Sequence, residues 1–380
     1  MKVLVLYDYP ASPGGLATQG DLLYRGLKEL GVDAYPVNFE SSQEKEWYYR
    51  WLEPDVVVGV GYWGHTPELV LHPQRYGMRA VPWLVADGYL ANYQETLEAL
   101  PLILTTSEWV KGVYMRDGLS GDNMEVLPVG VDTDAFIPRD RKDPKVSCVR
   151  EALGVSPEDI MILTVGGDAA SKGAQEVMQG LSIIDTKAPS WKYVCKVWPQ
   201  PRTIQQNLLD LQLATSLGIE KNVICTTYIM SRNFMPYLIA ACDIYAAPSR
   251  LEGFGMPQVE ASACGKPVLG INAMAMQETL VHAETAYLAN VATEVVLRET
   301  VVGEESGWES GHRVVFQSPR TVDYRASPHD IANYLMDLMK DQELRKTMGE
   351  AGRKRVIENY DYRVVAKRFL KLVSERLEIS

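Results

Sequence analysis

The chain is poor in cysteine, short of positive charge and free of long apolar runs. Its five cysteines in 380 residues (Cys148, Cys195, Cys225, Cys242 and Cys264) are odd in number and show no close pairing. That excludes a disulfide framework or a zinc spacing and leaves small buried thiols. Lysine and arginine number 38 against 49 acidic residues, a net charge of −11. The deficit is uneven: residues 1–140 hold 10 basic and 20 acidic side chains, a balance of −10. Phosphate contacts need Lys and Arg, so the balance argues against nucleic acid and against an anionic membrane surface. No apolar run reaches the roughly 18 residues that span a bilayer. Met1-Lys2 leads into Val3-Leu4-Val5-Leu6 and then Asp8, too short for a secretory h-region, so the expected location is cytoplasmic.

What is present is ordinary for a globular enzyme: 46% hydrophobic and 23% charged residues, in a chain long enough for about two domains. Strand-like and helix-like stretches alternate in two series. The first opens with Lys2–Tyr7, the loop containing Gly14-Gly15, and a helix carrying Leu16, Leu22, Leu23, Leu27 and Leu30 with Gly31 as its stop. Strands follow at 55–60, 80–86 and 102–105. A charged, proline-bounded run over 138–145 reads as a linker. The second series places strands at 160–165, 191–197, 223–226, 244–247 and 267–271, and the chain ends in helices at 330–340, 343–359 and 362–377. Residues 291–325 break the rhythm and read as an irregular insertion. The alternation predicts two doubly wound parallel-sheet domains, 1–145 and 146–361, with the final helix 362–380 packing back on the first. The exposed-looking cluster Trp47-Tyr48-Tyr49-Arg50-Trp51 reads as an amphipathic helix packed on its own domain, with contact to lipid or an acceptor left open as the alternative.

The densest chemistry lies in Pro248-Ser249-Arg250-Leu251-Glu252-Gly253-Phe254-Gly255-Met256-Pro257-Gln258-Val259-Glu260. It follows an apolar strand and so emerges at a carboxyl-end crevice, where open α/β sheets bind ligands. Gly253 and Gly255 let backbone N–H groups approach a ligand. Pro257 opens a helix whose free N–H groups suit an anion. Glu252 and Glu260 can only accept hydrogen bonds when ionised, which suits hydroxyl groups. Polyol and phosphate in one pocket point to a sugar nucleotide. Gly14 and Gly15 sit between a strand and a helix and also favour a diphosphate, although theirs is not the dinucleotide G-x-G-x-x-G pattern. Gly166-Gly167-Asp168-Ala169-Ala170-Ser171-Lys172-Gly173 again follows a strand, and Lys172 can bring a point charge to that diphosphate.

These segments resemble those of glycosyltransferase family 4, the retaining group with the two-domain GT-B fold. Gly14-Gly15 resembles its amino-terminal glycine loop, Thr105-Thr106-Ser107-Glu108-Trp109 a strand-end motif, and Val126–Asp132 with Phe136 and Pro138 its "I-P-N-G-V-D-x-x-x-F-x-P" signature. Glu252 to Glu260 is similar to its E-x7-E motif, and Gln277-Glu278 and Glu350–Asn359 also fit. The resemblance implies two Rossmann-like domains facing a cleft. It implies sugar transfer from a UDP- or GDP-sugar, with retention and without metal or other cofactor, to a small-molecule or glycan acceptor.

By resemblance Glu260 binds ribose hydroxyls, Glu252 faces the transferred sugar, and the backbone of Gly253, Phe254 and Gly255 completes the pocket. The family carries an Arg where Gly167 stands, so Arg250 or Lys196 would have to compensate. Asp87 carries over a polar role toward donor sugar or acceptor, with base chemistry open to it. His65 follows a strand, and Thr66-Pro67-Glu68 reads as the start of the next helix, which puts the imidazole on the crevice face. His72 reads as surface or packing. Asp132-Thr133-Asp134 matches a metal-binding D-x-D only superficially. A nucleotide-sugar epimerase or phosphorylase on the same fold, or an inactive nucleotide-sugar-binding protein, stay open as alternatives, as does a homo-oligomer.

Overall fold

The computed structural model describes residues 1–86, 88–303, 307–308 and 311–379. Six strands form the first sheet: β1 (Lys2–Tyr7), β2 (Asp33–Asn38), β3 (Val56–Gly61), β4 (Ala80–Leu84), β5 (Ile103–Thr105) and β6 (Met124–Val126). They lie in the order β2-β1-β3-β4-β5-β6, all parallel. The second sheet holds β7 (Ile160–Val165), β8 (Trp191–Val197), β9 (Val223–Thr227), β10 (Ile244–Ala246), β11 (Val268–Ile271) and β12 (Ala286–Ala289). Its order is β12-β11-β10-β7-β8-β9, again parallel throughout. Strands β1, β3 and β7 read as continuous apolar runs because helices cover both faces; β7 is buried at every position. Both sheets are doubly wound, the expected class.

The chain divides into two compact units, one of residues 1–132, 296–322 and 359–380, the other of 133–295 and 323–358. In the first, helix Tyr362–Leu377 lies against helix Gly15–Glu29, where a Cβ on Gly26 would come within 2.7 Å of Ala366. Arg376 adds an ion pair with Glu125 at 3.0 Å. The loop at Val131 bridges to Asp361 as an isolated parallel pair.

Three strands of the two six-stranded sheets escaped the sequence reading, β2, β6 and β12, and all three are sheet edges. β2 is only partly buried and holds Pro36, a residue that sheets tolerate on an edge strand, and β6 and β12 are only three and four residues long. The expectation of an irregular insertion at 291–325 is corrected. Val291–Val302 and His312–Ala326 form β13 and β14 of a two-stranded sheet. Valines and threonines favour the strands, but most of β13 is exposed, so no alternation of apolar and polar residues announces it.

Candidate functional site

In each sheet the chain reverses its direction of winding at one point, between β1 and β3 and between β7 and β10. Loops that leave the carboxyl ends there flank a crevice, the general ligand position in such sheets. The second unit's two loops hold most of the predicted residues. After β7 the chain makes a short turn at Ala170–Lys172 and enters helix Ala174–Ile184 through Gly173, whose φ is +79°. A Cβ at Gly173 would sit 2.3 Å from the Pro248 carbonyl oxygen. The missing side chain is therefore what lets the β7 loop meet the β10 loop. The amide of Arg250 donates to the Ser171 carbonyl at 2.9 Å and closes the contact.

That closure places Lys172 Nζ 2.7 Å from Glu252 Oε2, with the two side chains 21% and 15% exposed. Glu252's amide donates to the Met274 sulfur. Gly255, at φ +89°, caps helix Met256–Ala263, and a Cβ there would strike Met276 at 2.2 Å. Phe254 is buried, and Gln258 ties the helix to the loop through Nε2 donated to the Ala247 carbonyl and Ser249 Oγ. Glu260 is buried one turn further on, its Oε1 accepting from Arg232 Nη1 at 2.6 Å.

Of the two expected substitutes for a cation at Gly167, one is engaged elsewhere and the other is buried. Arg250 donates to both carboxylate oxygens of Glu176, at 2.8 and 3.1 Å, and to Gln175 Oε1 at 2.8 Å. Lys196 is buried on β8, and burial pushes its ammonium below the usual lysine range. Gly167 itself lies against Trp198: a Cβ there would come within 3.3 Å of the indole, and the Trp198 amide donates to the Gly167 carbonyl. The chain thus puts an aromatic ring where the family resemblance implies an arginine.

In the first unit, Gly14 caps helix Gly15–Glu29 without a side-chain cap, leaving first-turn N–H groups with no side-chain acceptor at the cap position. His65 closes a 3-10 turn, Trp63–His65, after β3. Its ring lies between Phe39 and Tyr62, with centroids at 4.9 and 4.3 Å. Burial lowers its pKa and favours the neutral imidazole, and its buried Nδ1 has no hydrogen-bond partner among the described residues. The expected capping role of Thr66 is corrected: its hydroxyl donates back to the Trp63 carbonyl at 2.6 Å, and Pro67–Leu71 continues as a π turn. His72 is half-buried, 4.0 Å from Glu46. Asp87 lies outside the described residues. In the D-x-D segment, Asp132 accepts from Arg25 at 2.9 Å.

Sequence reasoning missed Arg232 and Trp198. Both stand in loops at carboxyl ends, after β9 and β8, and that position was the available signal. It also passed over Gly59-Val60-Gly61-Tyr62-Trp63-Gly64, which spells G-x-G-x-x-G. Those glycines serve packing instead: a Cβ would meet Leu69 at Gly59, His65 at Gly61 and Tyr62 at Gly64. The run leads into the 3-10 turn Trp63–His65 and then the π turn Pro67–Leu71.

Residues 149–299 match the model of the glycosyl transferases group 1 family. The D-inositol 3-phosphate glycosyltransferase of Mycobacterium marinum is 30% identical over 174 residues, 45% of this chain and 35% of that protein. The GDP-mannose-dependent alpha-(1-6)-phosphatidylinositol monomannoside mannosyltransferase of Mycolicibacterium smegmatis is 26% identical over 264 residues, 67% of this chain and 57% of that protein. The chain therefore matches about a third to just over half of these relatives' lengths. Among solved structures, Anabaena Alr3699/HepE in complex with UDP and glucose aligns over 99% of this chain and 100% of its own, with a TM-score of 0.73 at 16% identity. At that identity the likeness shows the fold.

Proposed function

We propose, for a chain whose residues 149–299 are a glycosyl transferases group 1 segment, a retaining hexosyltransferase. It would move a sugar from a UDP- or GDP-sugar to an acceptor hydroxyl without a metal ion. The observation that carries this reading is the Lys172–Glu252 contact at 2.7 Å, on two loops that flank one sheet's switch point, with Glu260 one helix turn beyond. A cation for phosphate and two acceptors for hydroxyls are thereby gathered at one end of one sheet.

In this reading Glu260 accepts from the ribose hydroxyls and Glu252 from the hydroxyls of the transferred sugar. As the bond from the anomeric carbon to phosphate oxygen breaks, charge grows on the diphosphate. Lys172 stands ready to meet it, together with backbone N–H groups of the Gly166–Gly173 turn. The acceptor oxygen bonds to the anomeric carbon from the face the phosphate leaves, and its proton passes to the departing phosphate oxygen. Asp87 is proposed to face donor sugar or acceptor. His65, kept neutral by burial, supplies a hydrogen bond rather than a charge. Gly14 and Gly15, at the start of the first unit's helix, offer N–H groups to an anion. The partners are then a nucleotide sugar and a small-molecule or glycan acceptor. Among the described residues no helix is long and apolar enough to cross a membrane.

The test is donor turnover. The protein is incubated with UDP- and GDP-sugars, with and without EDTA, and the early products are followed by NMR. The expected result is release of nucleoside diphosphate, unaffected by EDTA, with the liberated or transferred sugar first in the donor's anomeric configuration. An altered sugar still attached to its nucleotide would instead identify an epimerase. Tight nucleotide binding with no turnover would identify an inactive binder, the outcome that Trp198 over Gly167 would then explain.

A further inference from the structure

The donor-site reading leaves one charge without a role. Arg232 lies in the loop between β9 and helix Met235–Ala241, and its Nη1 meets Glu260 Oε1 at 2.6 Å. The pair is asymmetric: the Glu260 side chain is 5% exposed and that of Arg232 is 43% exposed. On its other side the guanidinium lies over the Phe136 ring, 4.9 Å from its centroid. Arg232 is thus held by a carboxylate at one edge and an aromatic face below, while part of it stays open to solvent.

A carboxylate as enclosed as Glu260 is costly to keep charged without a cation. If it is to accept from a ribose diol it must be both ionised and fixed in direction. An ionised carboxylate has about four lone-pair sites, so a contact at Oε1 and hydroxyl donors can be accommodated together. The three cations expected at this end of the sheet are engaged or enclosed: Lys172 on Glu252, Arg250 on Glu176, Lys196 inside β8. We infer that Arg232 is a donor-positioning residue, which holds the Glu260 carboxylate charged and aimed at the ribose hydroxyls of the incoming nucleotide sugar. Phe136 contributes by holding the plane of the guanidinium, so charge alone does not fully replace it. The inference rests on the donor-site reading above.

The experiment compares the wild type with Arg232→Ala, Arg232→Gln and Arg232→Lys. Initial rates are measured over donor concentration, UDP and GDP binding by calorimetry, and thermal melting alongside. For Arg232→Ala the donor KM and the nucleoside diphosphate Kd are expected to rise about tenfold or more, with kcat within about twofold, the pattern of lost binding held equally in ground and transition states. Arg232→Lys should recover most of that loss, and Arg232→Gln, which keeps a donor without the charge, should not. Should Arg232→Ala fail to fold, the Gln and Lys variants carry the comparison. KM and Kd equal to wild type in a folded Ala or Gln variant would overturn the inference. So would a loss of kcat, KM and melting temperature together that Lys does not repair, because that pattern is purely structural. A wild type that binds neither nucleotide would instead overturn the donor-site reading, and the inference with it.

Discussion

Replacing Lys172 by alanine is expected to lower turnover by about 10²–10³-fold at saturating donor, the usual cost of removing one preorganised donor from a developing negative charge. Three features make the loss large. The lysine side chain is only 21% exposed, so its field is weakly screened. It is held in place by Glu252 at 2.7 Å, so little reorganisation is needed during the reaction. No second cation stands at Gly167, because Trp198 covers that position. Lys172→Arg should keep part of the rate, since charge survives while the point geometry does not. Steady-state kinetics with a purified, normally melting variant checks this. A Lys172→Ala protein with wild-type kcat would remove the lysine from the mechanism.

The second large effect concerns the frame that carries the site. Arg150 is buried, and burial lowers its pKa below the usual guanidinium range. Its two Nη groups donate to the carbonyls of Ala241, Ser156 and Asp159, at 2.8, 3.0 and 2.7 Å, and to Asp243 Oδ2 at 3.2 Å. It therefore ties helix Pro144–Ala152 to the segments that lead into β7 and β10, the two strands whose loops meet at Lys172 and Glu252. Arg150→Met keeps the stem but strands buried acceptors. Breaking such a buried pair costs about 3–5 kcal/mol; Arg141, 3.1 Å from the same Asp243 oxygen, should hold the loss near the lower end. Urea unfolding should show a lower midpoint. Arg141→Met, at a side chain 38% exposed, should cost no more than about 1 kcal/mol. A change below about 1 kcal/mol for Arg150→Met would contradict this view of the frame.

How much of this was legible in the chain depends on what each residue needed around it. Buried parallel strands such as β1, β3 and β7 announce themselves because both faces are covered and the apolar run is unbroken. The edge strands β2, β6 and β12 do not, since half of their character comes from neighbours far away in sequence. The pair Glu252 and Glu260 was readable because both fall on one loop and helix start, within nine residues. The partner of each carboxylate was not equally readable. Lys172 follows a strand and a glycine turn, a local signal, whereas Arg232 reaches Glu260 across 28 positions and belongs to a loop with no motif. Arg250 shows the opposite error. It stands inside the motif, yet it faces Glu176 and Gln175, and only packing reveals that direction. Gly167 stands where the resemblance implies an arginine, and nothing local in the chain announces the indole of Trp198 against it.

The most direct measurement is calorimetric titration of UDP, GDP and ADP into the wild type and Glu260→Ala. A carboxylate that pairs with ribose hydroxyls should be worth about 2–3 kcal/mol in a buried site, so the variant should bind about 10²-fold more weakly. One nucleotide is expected to bind the wild type preferentially and to lose that affinity in the variant, whose fold should persist by melting. Binding equal in the two proteins, or no binding of any nucleotide to the wild type, would contradict a donor site built on Glu252 to Glu260.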